Sequence, residues 1–565
     1  MPASLNPRFT IDRRRVLLAA LVSLPALRAH ALEPAALGAL PGASQRHQEQ
    51  QLDAARQAAV AQTSNLTAPA TIPTRLQFPL ENPCMTIREV EWRGAEQFQW
   101  LRERTWIEGQ CVGAQGLRVL KDWLLRELLA RGYLTTRVNV PETDFKDGRL
   151  VVEIVAGRIG AIRDEEGSIG LQRAAFPVGH GDVLNVRDLD QAMDNMRRLP
   201  GQAAVAFDLL PGAALGESDI VVKHPESKRW HVVLTADNSG NDATGRNQLG
   251  AIVAVDSPLH LYDQLIVSAS TDAALQNHTR GSQAKSAAWN VPIGYASFSM
   301  GVSEWSTRQP VDVGGVDLPY ENRTRRFEAG IGFAPYRAAD RKGTLQAKLF
   351  RRQDDVTIGG AEFDVQKHDI TGYDFSFEHE QAFANASFKA GADLRGSLAG
   401  LSRDPGKVFG VPDWNGRYRI GTLTASVDAP FSVGERPLAY RGSFFFQYSP
   451  TPVPSTEFLQ IGGRYTVRGF DGDATLAAES GWVLRNEIAT SLVAGAEAYA
   501  ALDAGRVHGT SASELNGRSL VGTALGVRGA YRKLGFDVAL GMPLQKPASF
   551  ETRTPTLDVW LTGRF

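Results

Sequence analysis

The sequence predicts a transmembrane β-barrel of about sixteen antiparallel strands, preceded by two small α+β modules. Three observations predict it. From Arg229 to the end, segments of roughly ten residues alternate in polarity between Gly, Asp, Asn and Pro. Before them, helical and strand periodicities occur together twice over. The chain also opens on an export signal. A hydrophobic content of 43% and a mean hydropathy of -0.21 read alone as soluble. They suit a barrel equally, because only every second strand residue faces lipid. At 565 residues the chain is too long for one ordinary domain. A net charge of -1 gives no electrostatic case for a nucleic-acid partner.

Taken in order, residues 1–31 are a signal peptide. Arg13, Arg14 and Arg15 precede an apolar run from Val16 to Leu27, and Ala29-His30-Ala31 is a small-x-small cleavage site. The run is short for a membrane span. The arginines are also similar to a twin-arginine signal, but that route carries folded cargo and a barrel crosses the inner membrane unfolded. Residues 32–62 hold a polar helix at 44–62 that Ser44 caps and whose apolar stripe is weak, which calls for a wet or channel-like setting. Residues 63–79, with Pro69, Pro73 and Pro79, are an extended linker.

The first module spans 80–157. Residues 86–92 alternate as a strand, and 117–131 carry Leu117, Leu120, Leu124 and Leu128 at helical spacing up to a Gly132 stop. Residues 133–138 and 148–155 read as strands. The second module spans 158–225, with strands at 159–163, 205–209 and 219–223 and a helix from Val186 to about Leu199. Cys84 and Cys111 are the only cysteines. In an exported protein they most simply form one disulfide, worth about 3 kcal/mol or slightly more by loop entropy; two unpaired thiols are the alternative. With no histidine cluster beside them they make a poor zinc site, and no metal or cofactor is expected.

Residues 226–565 form the barrel. Tyr373, Phe375 and Phe377 share one face and Asp374, Ser376 and Glu378 the other. In the last segment Val559, Leu561 and Phe565 oppose Asp558, Trp560, Thr562 and Arg564. At roughly 21 residues per strand and connection, about 335 residues give near sixteen strands. A secreted β-sandwich or β-helix array is the alternative, but the strands show no fixed period. One excursion, at about 451–479, is long and carries Val467-Arg468-Gly469-Phe470. One hairpin later come Asp503 and Gly505. A guanidinium binds a carboxylate through two parallel hydrogen bonds, and Gly469 and Gly505 permit close backbone approach. A buried pair of this kind is costly unless well satisfied, which points to a loop folded back into the lumen and fixed there. His-Glu-x-x-His and Gly-x-Ser-x-Gly are absent and the ten histidines are not clustered, so an enzyme is not expected.

These features together resemble the two-partner secretion transporters (TpsB family, ShlB/FhaC/HecB-type), within the superfamily of the outer-membrane assembly factor BamA. The resemblance covers nearly the whole mature chain. Pro83-Cys84, Gly109-Gln110-Cys111-Val112-Gly113 and Arg131-Gly132-Tyr133-Leu134-Thr135-Thr136-Arg137-Val138 look like that family's first periplasmic POTRA domain. Asp188-Leu189-Asp190-Gln191-Ala192-Met193-Asp194, Arg198-Leu199-Pro200 and Pro211-Gly212 look like its second. Asp237-Asn238-Ser239-Gly240 and Thr244-Gly245 resemble its first barrel strand and turn. Val467-Arg468-Gly469-Phe470 resembles the signature of its sixth extracellular loop, whose arginine pairs with an aspartate of a Phe/Gly-x-Asp-x-Gly motif. Here that motif reads Ala501-Leu502-Asp503-Ala504-Gly505, with alanine at the first position.

The resemblance implies an outer-membrane transporter in a Gram-negative bacterium, with its POTRA domains in the periplasm. It implies a partner too, a large secreted exoprotein (an adhesin, cytolysin or contact-dependent toxin), beside outer-membrane lipid. It implies that the 44–62 helix plugs the pore, and that substrate contacts fall on 115–140, with Thr135, Thr136 and Arg137 the candidates. The rival readings are a BamA-like assembly factor, which usually carries more periplasmic modules, and a passive porin, which needs none.

Overall fold

The computed structural model describes residue 66 and residues 75–565, apart from 142–146, 166, 276, 278, 409, 410, 412 and 494. The signal peptide and the 44–62 helix lie outside the described residues.

In the first module, strand Glu89–Arg93 pairs in parallel with Arg149–Val155, which pairs antiparallel with Arg137–Asn139. Helix Ala114–Ala130 lies on this sheet. Leu120, Trp123, Leu124 and Leu128 recur at helical spacing and bury one stripe against Leu150, Val152 and Ile154. Its first turn carries orphan N–H groups, and Glu81 takes them. The Glu81 carboxylate accepts from the backbones of Gln115 at 2.7 Å and Gly116 at 2.6 Å. Gly132 ends the helix at φ 94°, a left-handed position that suits glycine. A helix at Gln99–Arg104 went unread in the sequence because six residues with one buried position, Leu101, make no stripe. The strand expected at 133–138 shrinks to Arg137–Asn139, because residues 133–136 turn toward the joint with the second module. The disulfide Cys84–Cys111 is formed and ties strand Met85–Thr86 to Cys111–Val112.

The second module has a four-stranded sheet in the order Gly167–Ser168, Arg158–Asp164, Glu217–Lys223, Ala206–Pro211. Helix Val186–Arg197 buries Leu189, Ala192 and Met196 on it. The Asn185 side chain caps its start, accepting from Arg187 N at 2.9 Å.

Sixteen long antiparallel strands then close into a barrel. They run Trp230–Asp237, Gln248–Asp256, Gln264–Asp272, Gly281–Ile293, Ala296–Asp312, Asp317–Arg337, Arg341–Ile358, His368–Ala382, Ser387–Ser397, Arg419–Val433, Arg436–Tyr448, Ser480–Val493, Ala496–His508, Ser519–Tyr531, Leu534–Gln545 and Thr556–Arg564. The two-residue strand Ala361–Glu362 adds to the outer end of the seventh. The first and last strands meet from Val233↔Arg564 to Asp237↔Trp560. Beyond that pairing the Asn238 side chain continues the seam, donating to Leu557 O at 2.7 Å and accepting from Val559 N at 2.8 Å. The expected alternation sets the faces. Leu349, Phe375, Phe377, Leu423 and Leu525 point outward and are exposed, as a lipid-facing band requires. Among the described residues no helix is long and apolar enough to cross a membrane, which has no bearing on strands.

The second module is fastened to the barrel's periplasmic rim at three turns. Asp194 pairs with Arg337 at 2.5 Å and with Lys342 at 3.4 Å. Asn195 donates to Ala175 O within the module and to Gly294 O of the rim, both at 2.8 Å. Arg198 reaches Asn290 and the Tyr262 carbonyl. Burial lowers the Arg198 pKa to about 10, against the pull of Asp256 and Asp263.

The disulfide closes a loop with a sequence separation of 27. Replacing both cysteines (Cys84→Ser with Cys111→Ser) is expected to destabilise the first module by about 3.5 kcal/mol on the chain-entropy model. Pulse proteolysis of the full-length protein across a urea series checks this: the module's midpoint should fall while the barrel's stays.

Candidate functional site in the barrel lumen

The connection from the eleventh strand to the twelfth does not stay outside. It turns through Ser455–Glu457, forms a small hairpin from Leu459–Ile461 and Leu476–Ala478, and enters the lumen between them. Apolar packing holds it there. Ile461, Val467 and Phe470 join Leu476 and Ala478 against Val483, Val507, Leu520 and Phe550 of the wall and neighbouring loops. Val467 and Phe470 are fully buried, and Phe470 meets the Phe550 ring edge-on with centroids 5.6 Å apart.

Close approach is made possible by missing side chains. Gly469 has φ 94°, and a Cβ there would lie 2.4 Å from the Met542 carbonyl oxygen. A Cβ on Gly522 would lie 2.0 Å from Arg468 O, and one on Gly541 2.7 Å from the Gly469 Cα. Gly505 leaves room for Val467 and Ile461. Gly469 and Gly505 stand out in the sequence, whereas Gly522 and Gly541 look like ordinary strand glycines until the loop is laid against them.

Arg468 sits at the centre. Its Nε donates to Asp503 Oδ2 at 2.7 Å and its Nη2 to Asp503 Oδ1 at 2.8 Å, a two-pronged contact. Its own backbone N–H donates to Asp503 Oδ2 at 3.0 Å, so one carboxylate fixes both side chain and main chain. Nη1 donates to Glu487 Oε2 at 2.8 Å, and Nη2 also reaches Asn486 O at 3.3 Å. Asp503 is 0% exposed and Arg468 8%.

The pair is part of a larger constellation on the lumen wall. Glu487 also pairs with Arg528 and, at 3.3 Å, with Arg441. Glu497 takes Arg441 at 2.8 Å and Arg528, and Arg441 reaches Asp428 at 3.2 Å. Arg485 donates to the carbonyls of Arg464 and Tyr465 on the loop. Four cations (Arg441, Arg468, Arg485, Arg528) therefore face four anions (Asp428, Glu487, Glu497, Asp503). Glu487 does not stand out in the sequence. The alternation shows only that it faces inward, since Arg485 and Glu487 alternate with the outward Trp482, Leu484 and Ile488. Ala501, the departure from the family motif, faces Glu487 in register and packs with Ala489, Tyr499, Ala524 and Ala539.

The loop is tied to the barrel on two further sides. Glu457 pairs with Arg395 at 2.7 Å and Arg352 at 3.3 Å. At the tip, Asp473 pairs with Arg246, and Asp471 accepts from the backbone of Arg553 at 2.9 Å.

The structure places the periplasmic candidates differently. Thr136 is buried, and its Oγ1 accepts from Gly157 N at 3.2 Å. Thr135 crowds the same glycine, where a Cβ would lie 1.9 Å from its Oγ1. Both threonines thus line the joint between modules. Arg137 is the exposed one of the three and lies on the edge strand Arg137–Asn139. Among the described residues no group of His, Cys, Asp and Glu is placed to hold a metal ion.

Arg468→Ala leaves Asp503 buried without its two-pronged partner, a cost of about 3–5 kcal/mol to the docked loop. The expected result is faster proteolysis within 451–479 in the purified protein, with the barrel still folded by heat-modifiable gel mobility. Arg468→Lys should rescue only part of the protection, because an ammonium cannot grip both oxygens side-on.

Comparison with known proteins agrees with this architecture. Residues 216–529 match the family of the haemolysin secretion/activation protein ShlB/FhaC/HecB. Residues 85–157 match the ShlB-type POTRA domain, and 158–211 match a POTRA domain. The outer membrane transporter CdiB-2 of Burkholderia pseudomallei is 31% identical over 547 residues, covering 93% of each chain. The hemolysin transporter protein ShlB of Serratia marcescens is 26% identical, over 81% of this chain and 80% of that protein. The solved structure of CdiB from Acinetobacter baumannii shares the fold, with a TM-score of 0.82 over 95% of this chain and 100% of that one, at 24% identity. The chain belongs to the ShlB/FhaC/HecB family of haemolysin secretion/activation proteins, outer-membrane transporters of two-partner secretion.

Proposed function

We propose that this transporter moves one large exoprotein, an adhesin, cytolysin or contact-dependent toxin, through its lumen while the Arg468-bearing loop holds the barrel in a transport-competent form. The observation that carries the reading is the grip of Asp503 on both the side chain and the backbone of Arg468, inside a barrel that follows two periplasmic modules. A passive porin has no use for the modules. An assembly factor usually carries more than the two modules described here.

The exoprotein arrives unfolded. The edge strand Arg137–Asn139 offers main-chain donors and acceptors, and an extended segment adds to such an edge by strand pairing. Arg137 is exposed there and supplies a charge beside the incoming segment. The outer membrane holds no ATP, so net outward motion comes from binding and from folding of the emerged segment outside. Residues 44–62 are the proposed resting plug. A polar helix suits the polar wall seen along the inward positions of the sixth to ninth strands, where Arg326, Lys348, Asp374 and Arg395 stand.

The test is co-expression with a candidate exoprotein, a very large secreted protein encoded by a neighbouring gene, followed by assay of the medium. Wild type should release it; Arg468→Ala and Asp503→Asn should leave it in the periplasm. Secretion at the wild-type level in both variants would sink the role of the lock. Deleting residues 44–62 should raise single-channel conductance in planar bilayers. Unchanged conductance would remove the plug from the mechanism.

A further inference from the structure

Three cations sit over aromatic rings around the periplasmic end of the barrel seam. Lys228 lies 5.0 Å from the Trp230 ring centroid, Lys533 5.4 Å from Phe565, and Arg532 5.4 Å from Tyr531. Trp230 and Tyr531 belong to the first and fourteenth strands, and Phe565 directly follows the last. Trp230, Tyr531 and Phe565 are all exposed, at 49%, 69% and 47%. They point outward. Phe565 exchanges backbone hydrogen bonds with Val232 across the seam, and Trp230 is two residues farther along the same outward face. Phe565 also folds over Gly563, whose strand partner is Leu534, the first residue after the Arg532-Lys533 turn. The patch is therefore continuous from the fourteenth strand to the first, at the level where the barrel leaves the lipid toward the modules.

The backbone supplies an independent observation. Arg532 is held at φ 55°. Two other two-residue periplasmic turns place glycine at the same first position, Gly294 at φ 58° and Gly434 at φ 62°. Glycine adopts this conformation without the steric cost that a side chain brings. Here the turn carries an arginine in spite of that cost, and a lysine follows it. Among the described residues none of Lys228, Arg532 and Lys533 pairs with a carboxylate. Their charge is left for a ligand outside the protein.

We propose that this patch binds the headgroup of an anionic phospholipid of the inner leaflet. Aromatic rings at the interface seat the glycerol and upper acyl region, and the cations take the phosphate. Lys228 stands on one side of the seam and Lys533 on the other, so a bound headgroup clasps the two barrel edges where their strand pairing ends. The proposal does not depend on the identity of the exoprotein.

The test uses the full-length protein in detergent, with native mass spectrometry of retained lipid. The probes are phosphatidylglycerol and phosphatidylcholine with identical acyl chains, and lipid A as a third arm. Wild type should retain phosphatidylglycerol in preference to the other two. Arg532→Gly, which suits the turn, and Lys533→Asn should each lower that retention roughly fivefold, about 1 kcal/mol per cation near a charged surface. Lys228→Gln, which leaves the turn untouched, should do the same. Arg436→Gln, at the turn carrying Gly434, should change nothing. Equal retention of the two phospholipids would overturn the proposal. An equal loss in Arg436→Gln, or retention of lipid A instead, would overturn it as well.

Discussion

The structure depends on the burial of Arg468 with Asp503. Taking two charges out of water costs several kcal/mol for each, and their attraction offsets this only when the remaining hydrogen-bonding capacity is met. Here it is met almost completely. Both Asp503 oxygens are used, the Arg468 backbone joins them, and Glu487 and the Asn486 carbonyl take the other donors. A pair this well satisfied specifies one position for the loop more sharply than apolar contact does. Val467 and Phe470 supply the burial on either side, but greasy contacts tolerate sliding and a two-pronged ion pair does not.

The lock in turn constrains the wall. Glu487 is shared between Arg468, Arg441 and Arg528, so the loop is coupled to the eleventh through fourteenth strands. Gly522 and Gly541 must stay small for the loop backbone to lie against them. The opposite side of the barrel is fixed from below. Asp194, Asn195 and Arg198 fasten the second module to turns of the second to seventh strands. One half of the barrel is thus braced by a loop inside it and the other by a module beneath it. That arrangement holds the lumen wall from two sides.

Much of this was legible in the sequence. Period-two alternation marked the barrel, because each lipid-facing side chain must be followed by one that faces the lumen. The leucines of 117–131 marked a helix, and the observed helix Ala114–Ala130 buries that stripe. The Arg468 motif and Asp503 were visible as charge and glycine in unexpected places. Short elements were not visible. Gln99–Arg104 has too few turns to show a period. Thr135 and Thr136 became candidates only through the family resemblance, and only the packed joint shows them turned toward Gly157.

What the sequence determined by itself was local: which residues alternate, where chains turn, and which charges interrupt an apolar rhythm. These follow from steric and solvation preferences that act within a few residues. What only the tertiary structure decided was the company each charge keeps. Asp503 lies 35 positions from Arg468 and Glu487 lies 19. Nothing local distinguishes Glu487 from any other lumen-facing acid. Its role arises when barrel closure brings three arginines around one carboxylate in a space with little water, where a misplaced charge costs several kcal/mol and a satisfied one fixes the fold.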